Sequence, residues 1–418
     1  PFVKHSYLLK NPEDTARVFK EAFYIAGTGR PGPVLIDIPM DVQKSVIDFE
    51  YPEKCEIRSY KPTTKGNYVQ VRRVMAALEE AEKPLICIGG GVFAAHAENE
   101  IRELADLMQI PVITTMMGIS VFPDDDQLFC GMIGTHGVKM ANAAVNECDV
   151  LFLVGARVGD RAVKTPLALE KTTKIIHIDI DPAEIGKNIG ADLPLVGDAK
   201  LVLQQMTELA KPMKHDEWIA HIKTLGGERK YVEPAKGTVH PRVFIDRLAK
   251  KMPANVTVVA DVGQNQIWTC TEYKFRKEGR LLTSGGMGTM GYSVPAAIGA
   301  KMADNSRATV AICGDGAFQM SFMELATAVQ FGVDIKVVVM TNNRLGMVRE
   351  LQTNGYHDRQ TAVFLDGSPD FIKLAEAYGI PAMRVYDDDT MDKGIEMLAE
   401  HKGICLVEVV VDKDMPTL

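Results

Sequence analysis

The chain has 418 residues, 46% of them hydrophobic and 24% charged, with a net charge of −8, which suits a globular protein of two or three domains and is too long for one ordinary core. Its Lys and Arg are dispersed, so there is no basic face for nucleic acid, and no run approaches the roughly 18 apolar residues of a membrane-spanning helix. The seven cysteines form no CxxC pair and several lie inside apolar runs, which reads as buried free thiols in a reducing, cytoplasmic setting rather than a disulfide frame or a zinc site.

The chain opens at Pro1 with "PFVKHSYLLKNPEDTARVFKEAF" and no initiator Met, which reads as the interior of an α/β unit and so as a processed or truncated product. The apolar run "PVLIDIP" (33–39) follows. Seven more come after it: "PLICIGGG" (84–91), "DVLFLVGAR" (149–157), "KIIHIDIDP" (174–182), "VTVVADVG" (256–263), "ATVAICGDG" (308–316), "IKVVVMTNN" (335–343) and "ICLVEVVVD" (404–412). Continuous rather than alternating apolar runs are what strands covered on both faces require, and this predicts parallel sheets. Helical patterns lie between them, at 67–82, 98–109 and 322–332. Alternation of β and α along the chain predicts an α/β fold of doubly wound parallel-sheet domains. Two polar stretches, 50–66 and 211–241, break the pattern. They divide the chain into a short piece at 1–50, a middle domain at 60–210 and a C-terminal domain at 235–418.

In the middle domain, "CIGGGV" (87–92) is a strand-to-glycine turn suited to main-chain contact with a dinucleotide. It is not GxGxxG, which disfavours an NAD-linked dehydrogenase. In the C-terminal domain, "AICGDGAFQM" (311–320) sets Asp315 between Gly314 and Gly316 at the end of an apolar run, and Asn342 ends the next run 27 residues later. That interval accommodates one crossover helix, so adjacent parallel strands would bring the two side chains together beyond their carboxyl ends, where α/β sheets bind ligands. An acid and an amide oxygen form part of an octahedral oxygen shell for Mg²⁺. The two glycines allow close approach of phosphate, and a helix opening at Ala317 would offer it a positive end. The alternative is an Asp that caps a helix beside an unrelated Asn turn.

Taken together, these stretches and "GRPGPVLIDIP" (29–39), "IIHIDIDPAEIGKN" (175–188), "GQNQIW" (263–268), "GGMGTMGYSVPAAIGA" (285–300), "GDGAFQMSFMELATAVQFG" (314–332), "NNRLGMVRELQ" (342–352) and "PDFIKLAEAYGI" (369–380) resemble the catalytic subunit of acetohydroxyacid (acetolactate) synthase, a thiamine diphosphate-dependent family. The resemblance runs the length of the chain. It implies three α/β domains, of which residues 1–50 would be the tail of a pyrimidine-binding one, 60–210 an FAD-binding one and 235–418 a diphosphate-binding one. It also implies that Asp315, Asn342 and the main-chain oxygen of Arg344 ligate Mg²⁺, that Gln264, Asn265, Gly314, Gly316 and Ala317 hold the diphosphate, and that Gly288 and Met290 contact the pyrimidine end. Met290 would be the apolar wedge between the cofactor rings, although taken without the resemblance it reads first as core packing in a Gly-rich turn. Met347 and Leu351 would face the substrate.

For FAD, the resemblance points to Arg30, Arg157, Asp160 and Arg161 as polar contacts and to Asp179 near the ribose. Gly89, Gly90, Gly91, Met132, His136, Gly155, Ile180 and Asp198 would lie along the flavin, with His136 equally readable as a core histidine. The implied reaction joins pyruvate to a second 2-oxo acid, giving 2-acetolactate for branched-chain amino acid synthesis, in a homodimer or homotetramer with room for a regulatory subunit. The glutamate that activates the cofactor in this family belongs to the pyrimidine-binding domain and matches no residue here. No catalytic side chain is therefore assigned, and the chain alone is expected to be inactive.

Several positions depart from the family pattern. Asn265 stands where relatives often have His, Thr341 replaces the first Asn of an Asn pair, and Val158-Gly159 replaces an aromatic and an acid. Met40 replaces a Lys near the substrate channel, and Leu351 replaces a Trp linked to preference for 2-ketobutyrate. A smaller side chain at 351 predicts weak discrimination between second substrates. Two further readings stay open: another thiamine enzyme, such as a glyoxylate carboligase, pyruvate oxidase or sulfoacetaldehyde-type acetyltransferase, and a silent fragment that keeps only the diphosphate half-site.

Overall fold

The computed structural model of the chain describes residues 2–227 and 231–418; Pro1 and 228–230, within the predicted 211–241 break, lie outside them. Near the start, β1 (His5–Leu8) and β2 (Val34–Asp37) pair in parallel around the helix Thr15–Gly27. This unit buries only a small core of Leu9, Val18 and Val42.

The middle sheet holds β3 (Pro84–Ile88), β4 (Val112–Thr114), β5 (Phe129–Met132), β6 (Val150–Val154), β7 (Lys174–Asp179) and β8 (Leu193–Val196) in the order β5-β4-β3-β6-β7-β8, all parallel. Its run "PLICI" shows why the apolar stretches are unbroken. Ile86 and Ile88 face one core with the helices Tyr68–Glu80, Glu98–Met108 and Ala199–Thr207, while Leu85 and Cys87 face another with the helix Lys139–Glu147, Trp218 and Ile222. Successive side chains point to opposite faces, and here both faces are covered. The strand order reverses between β3 and β6, and such a switch point opens a crevice beyond the strand ends.

The C-terminal sheet holds β9 (Thr257–Ala260), β10 (Arg280–Thr283), β11 (Thr309–Gly314), β12 (Lys336–Thr341), β13 (Ala382–Val385) and β14 (Cys405–Val410) in the order β10-β9-β11-β12-β14-β13, again all parallel. Its order reverses between β9 and β11. Val310, Ile312 and Val338 face the helices Pro241–Lys251 and Gln264–Glu272, and Ala311, Val337 and Val339 face Ser293–Ala303 and Leu325–Gln330.

All eight predicted strands form, and the helices predicted at 67–82 and 98–109 run Tyr68–Glu80 and Glu98–Met108. Asn67 caps the first by accepting from the Val69 and Gln70 N–H groups, and left-handed Gln109 ends the second. The helix predicted over 322–332 is a 3₁₀ turn, Phe322–Glu324, followed by Leu325–Gln330. Six short strands, β1, β4, β5, β8, β10 and β13, were not anticipated. No helix among the described residues is long and apolar enough to cross a membrane.

Candidate functional site

The tips of β11 and β12 meet. Gly314 pairs with Met340 in register, and the two chains then turn so that Asp315 and Asn342 adjoin: the Asp315 carboxylate accepts from the Asn342 N–H at 3.1 Å and the Asn343 N–H at 2.6 Å through Oδ2, and from the Gly316 N–H at 2.8 Å through Oδ1. Asn343 adopts φ +54 to bring its N–H inward, a left-handed conformation that Asn tolerates. Asp315 is 2% exposed and forms no ion pair among the described residues. Burial pushes its carboxyl up to about 6, and the three main-chain N–H groups pull it partly back.

Asn342 turns its amide so that Oδ1 accepts from the Arg344 N–H at 3.1 Å while Nδ2 donates to Gln264 Oε1 at 3.2 Å. The Arg344 side chain pairs with Asp366 at 2.8 Å and lies over Phe364. Among the described residues no group of three or more His, Cys, Asp or Glu gathers as a metal site. A divalent ion here would have one carboxylate plus neutral oxygens, a donor set that suits Mg²⁺ keeping phosphate and water partners. Those residues fit the ion and its diphosphate: a buried, unneutralised acid lies beside an amide oxygen on a cleft lined by Gly263, Gly314, Gly316 and Ala317.

The predicted set divides in this geometry. Gln264, Asn265, Met290, Gly314, Asp315, Gly316, Ala317, Asn342, Arg344 and Met347 all line the cleft. Gly288, at φ +68, is exposed and off it, and Leu351 is 63% exposed one turn beyond Met347 on the helix Gly346–Gly355, also off the lining. Asn265 Nδ2 donates to the carbonyls of Asp261 and Ile312, and Gln264 Nε2 donates to the Met415 carbonyl and Thr417 Oγ1. What both residues present to the cleft is the first turn of the helix Gln264–Glu272. The helix at Ala317 is a single turn, Asp315–Phe318, so it carries little of the dipole expected of it.

Sequence reasoning missed Asp261. It is fully buried at the tip of β9, and its carboxylate accepts from the N–H groups of Val262, Gly291 and Ser293, tying the "GQNQ" turn to the Gly-rich turn that carries Met290. The signal was present: "VTVVAD" ends a strand on an acid just as "ATVAICGD" does.

At the middle-domain switch point a second cavity, about 780 Å³, is lined by Arg30, Gly90, Gly91, Gly155, Arg157, Asp179, Ile180 and Asp198, a volume ordinary for a cofactor site. Burial raises the Asp179 carboxyl. Arg30 reaches across from the first unit to Asp181 at 3.2 Å and Glu184 at 2.7 Å. Glu184 also lines the cavity, is 8% exposed and keeps Oε2 buried without a hydrogen-bond partner among the described residues; an acceptor in want of a donor fits a ligand bearing hydroxyl or amino groups.

Gly89, Met132, His136, Asp160 and Arg161 do not line this cavity. A Cβ on Gly89 would stand 2.1 Å from the Gly155 oxygen, so that glycine serves the contact of two loops. Met132 is buried in the core shared with the C-terminal domain, and Asp160 and Arg161 are exposed. His136 is half-buried, with its basicity lowered by burial and then by Arg161.

Comparison with known proteins bears on both sites. Residues 261–409 match the thiamine pyrophosphate enzyme C-terminal TPP-binding domain, and residues 71–206 match the central domain of the same enzymes. The probable acetolactate synthase large subunit of Methanocaldococcus jannaschii is 41% identical over 99% of this chain and 72% of its own length. The acetolactate synthase large subunit of Corynebacterium glutamicum is 40% identical over 99% and 68%, and the isozyme 3 large subunit of Escherichia coli 36% identical over 99% and 74%.

Proposed function

The chain belongs to the acetolactate synthase large-subunit family of thiamine pyrophosphate enzymes, and we propose that it is a thiamine diphosphate-dependent carboligase joining pyruvate to a second 2-oxo acid, with its cofactor diphosphate and Mg²⁺ at the tips of β9, β11 and β12. The observation that carries this reading is Asp315: a buried acid beside Asn342, with no cation paired to it among the described residues. Thiamine diphosphate, when bound, supplies the electron sink for decarboxylating a 2-oxo acid.

The chain's own residues do the placing. Asp315, the Asn342 amide oxygen and the Arg344 carbonyl would hold the ion. Gly314 and Gly316 leave room beside it: a Cβ on Gly316 would stand 2.8 Å from Leu345 and 3.3 Å from Met290. Met290, Leu345, Met347 and Trp268 form the apolar wall that limits water in the cleft. Met347 is the cleft residue here that would meet substrate, and the aliphatic side chain at 351, in place of a Trp, is the basis for expecting weak selection between pyruvate and 2-oxobutyrate.

The middle-domain cavity would take FAD in a structural role, since carboligation involves no net redox change, with Arg30, Arg157, Asp179 and Glu184 as the polar contacts. On this reading 1–50 is the C-terminal tail of the pyrimidine-binding domain, 60–210 the FAD-binding domain and 235–418 the diphosphate-binding domain, the assembly is a homo-oligomer open to a small regulatory subunit, and the setting is the cytoplasm.

The test supplies the protein with thiamine diphosphate, Mg²⁺, pyruvate and 2-oxobutyrate and resolves the products. With the activating glutamate of the family's pyrimidine-binding domain supplied, the expected outcome is 2-acetolactate and 2-aceto-2-hydroxybutyrate in a ratio within about tenfold of the substrate ratio, while this chain by itself is expected to bind the cofactor without turnover. Release of acetaldehyde or an acetyl product without a new carbon–carbon bond would contradict the carboligase reading. Cofactor binding without turnover would leave the site standing and put the cofactor-activating group outside these residues.

A further inference from the structure

The turn that carries Met290 is fastened at both ends. On its near side Ser284 accepts from the Gly288 N–H at 2.9 Å through its carbonyl and from the Thr289 N–H at 3.1 Å through its hydroxyl. On its far side Gly291, at φ +84, leads into the helix Ser293–Ala303, whose N-cap Tyr292 makes no side-chain cap. Asp261 supplies one from a distant strand: Oδ2 accepts from the Ser293 N–H at 2.8 Å and Oδ1 from the Gly291 N–H at 3.0 Å. A carboxylate on the orphan N–H groups at a helix start is favourable both as a cap and as a charge.

Asp261 is itself referenced to the strand that carries the ion site. Its N–H donates to the Ile312 carbonyl at 2.8 Å, and β11 runs on from Ile312 through Gly314 to the start of Asp315. The carboxylate is fully buried and stands behind the cleft lining rather than on it, so a ligand that fills the cleft does not compete for its contacts. One side chain thus sets the separation between the tip of β11, the floor on which the diphosphate and ion would sit, and Met290, in the wall that would meet the organic rings. Floor and wall adjoin: a Cβ on Gly316 would stand 3.3 Å from the Met290 methyl.

We propose that Asp261 is a positioning residue for the ring-binding end of the cofactor, holding Met290 at a fixed place above the diphosphate floor from outside the cleft lining. The inference rests on the site reading above and leaves the contacts of the turn after β9 with the diphosphate as they are. The alternative is a helix cap that supports the fold alone.

The two roles separate by ligand. Inorganic pyrophosphate with Mg²⁺ needs only the floor, whereas thiamine diphosphate with Mg²⁺ needs floor and wall. Asp261→Asn keeps the shape of the side chain, but an amide has one accepting end where two are used and turns its N–H groups toward a main-chain donor. Equilibrium dialysis at saturating Mg²⁺ is expected to show thiamine diphosphate binding weakened about tenfold in Asp261→Asn, with pyrophosphate binding changed by less than about twofold. Met290→Ala is expected to give the same split, and the double variant to lose no more than about twofold beyond either single one, because both changes remove one contact. Asp261→Ser, which lacks the second oxygen, serves where Asp261→Asn does not fold and is expected to show the same split.

Equal weakening of both ligands, no weakening of either, or losses from Asp261→Asn and Met290→Ala that multiply would overturn the proposal. So would loss of the folded state in both Asp261 variants, which would make the residue a support of the fold alone. If the unmutated protein binds neither ligand with Mg²⁺, the site reading itself fails, which is a different result.

Discussion

Asp315 and Asn342 were legible as a pair because both requirements sit in the sequence: each ends an unbroken apolar run, and 27 residues is one crossover. What was not legible is the direction of amide side chains. "GQNQ" presents two amides, and nothing local says that Asn265 donates to the Ile312 carbonyl as well as to Asp261 four residues back, since Ile312 lies on β11, 47 residues ahead. Glycines divide in the same way. "CIGGGV" reads as a phosphate-type turn, yet Gly89 faces the Gly155 carbonyl rather than a cavity. Gly89→Ala is therefore expected to destabilise the fold by about 3 kcal/mol in urea denaturation, the cost of forcing a methyl into packed main chain. The matched control is Gly159→Ala, where a Cβ meets nothing within 4 Å, with a change within about 0.5 kcal/mol. Equal effects from the two substitutions would contradict this account of Gly89.

Among elements, the strands read correctly are those buried on both faces. β3, β6 and β12 are buried at every position, and continuous apolar runs are their only solution. The ones missed are short or half-exposed: β1 is largely exposed, β13 and β8 are outermost in their sheets, and β10 alternates. A four-residue strand with two exposed positions has no periodicity to separate it from a loop. The helix expected at 322–332 had the right apolar spacing, but its first turn, Phe322–Glu324, is 3₁₀, so only Leu325–Gln330 is α-helical. Neither error moved a strand end that carries the site, which is why the cleft could be placed when the full sheet order could not.

At the scale of the whole molecule, the two six-stranded sheets are joined by a seam that the sequence did not announce. Ser120 accepts from the Leu281 N–H at 2.9 Å, Glu98 pairs with Arg280 at 3.0 Å, and Asp124 exchanges main-chain and side-chain hydrogen bonds with Phe275. Burial raises the Asp124 carboxyl to about 6, with Lys274 and then the Phe275 N–H drawing it back. The folded protein thus holds this proton more tightly than an unfolded chain, whose Asp titrates near 4. The group favours the fold below about pH 4, and that advantage is lost as pH rises through about 6. Asp124→Asn stays neutral throughout. Its stability relative to the wild type should therefore increase by roughly 2 kcal/mol between pH 4 and pH 7.5 in urea denaturation, and a gap independent of pH would contradict the assignment.

The two sheets each place a crevice at the point where strand order reverses, and the acid at one of them decides what the molecule is for. Calorimetric titration of thiamine diphosphate into the protein with Mg²⁺, with Mg²⁺ removed by chelation, and into Asp315→Ala with Mg²⁺ reads that acid directly. Binding is expected in the first case and a loss of about a hundredfold or more in the other two. Asp315→Ala protein that still takes the cofactor with wild-type affinity and metal dependence would show that the ion and its diphosphate lie elsewhere.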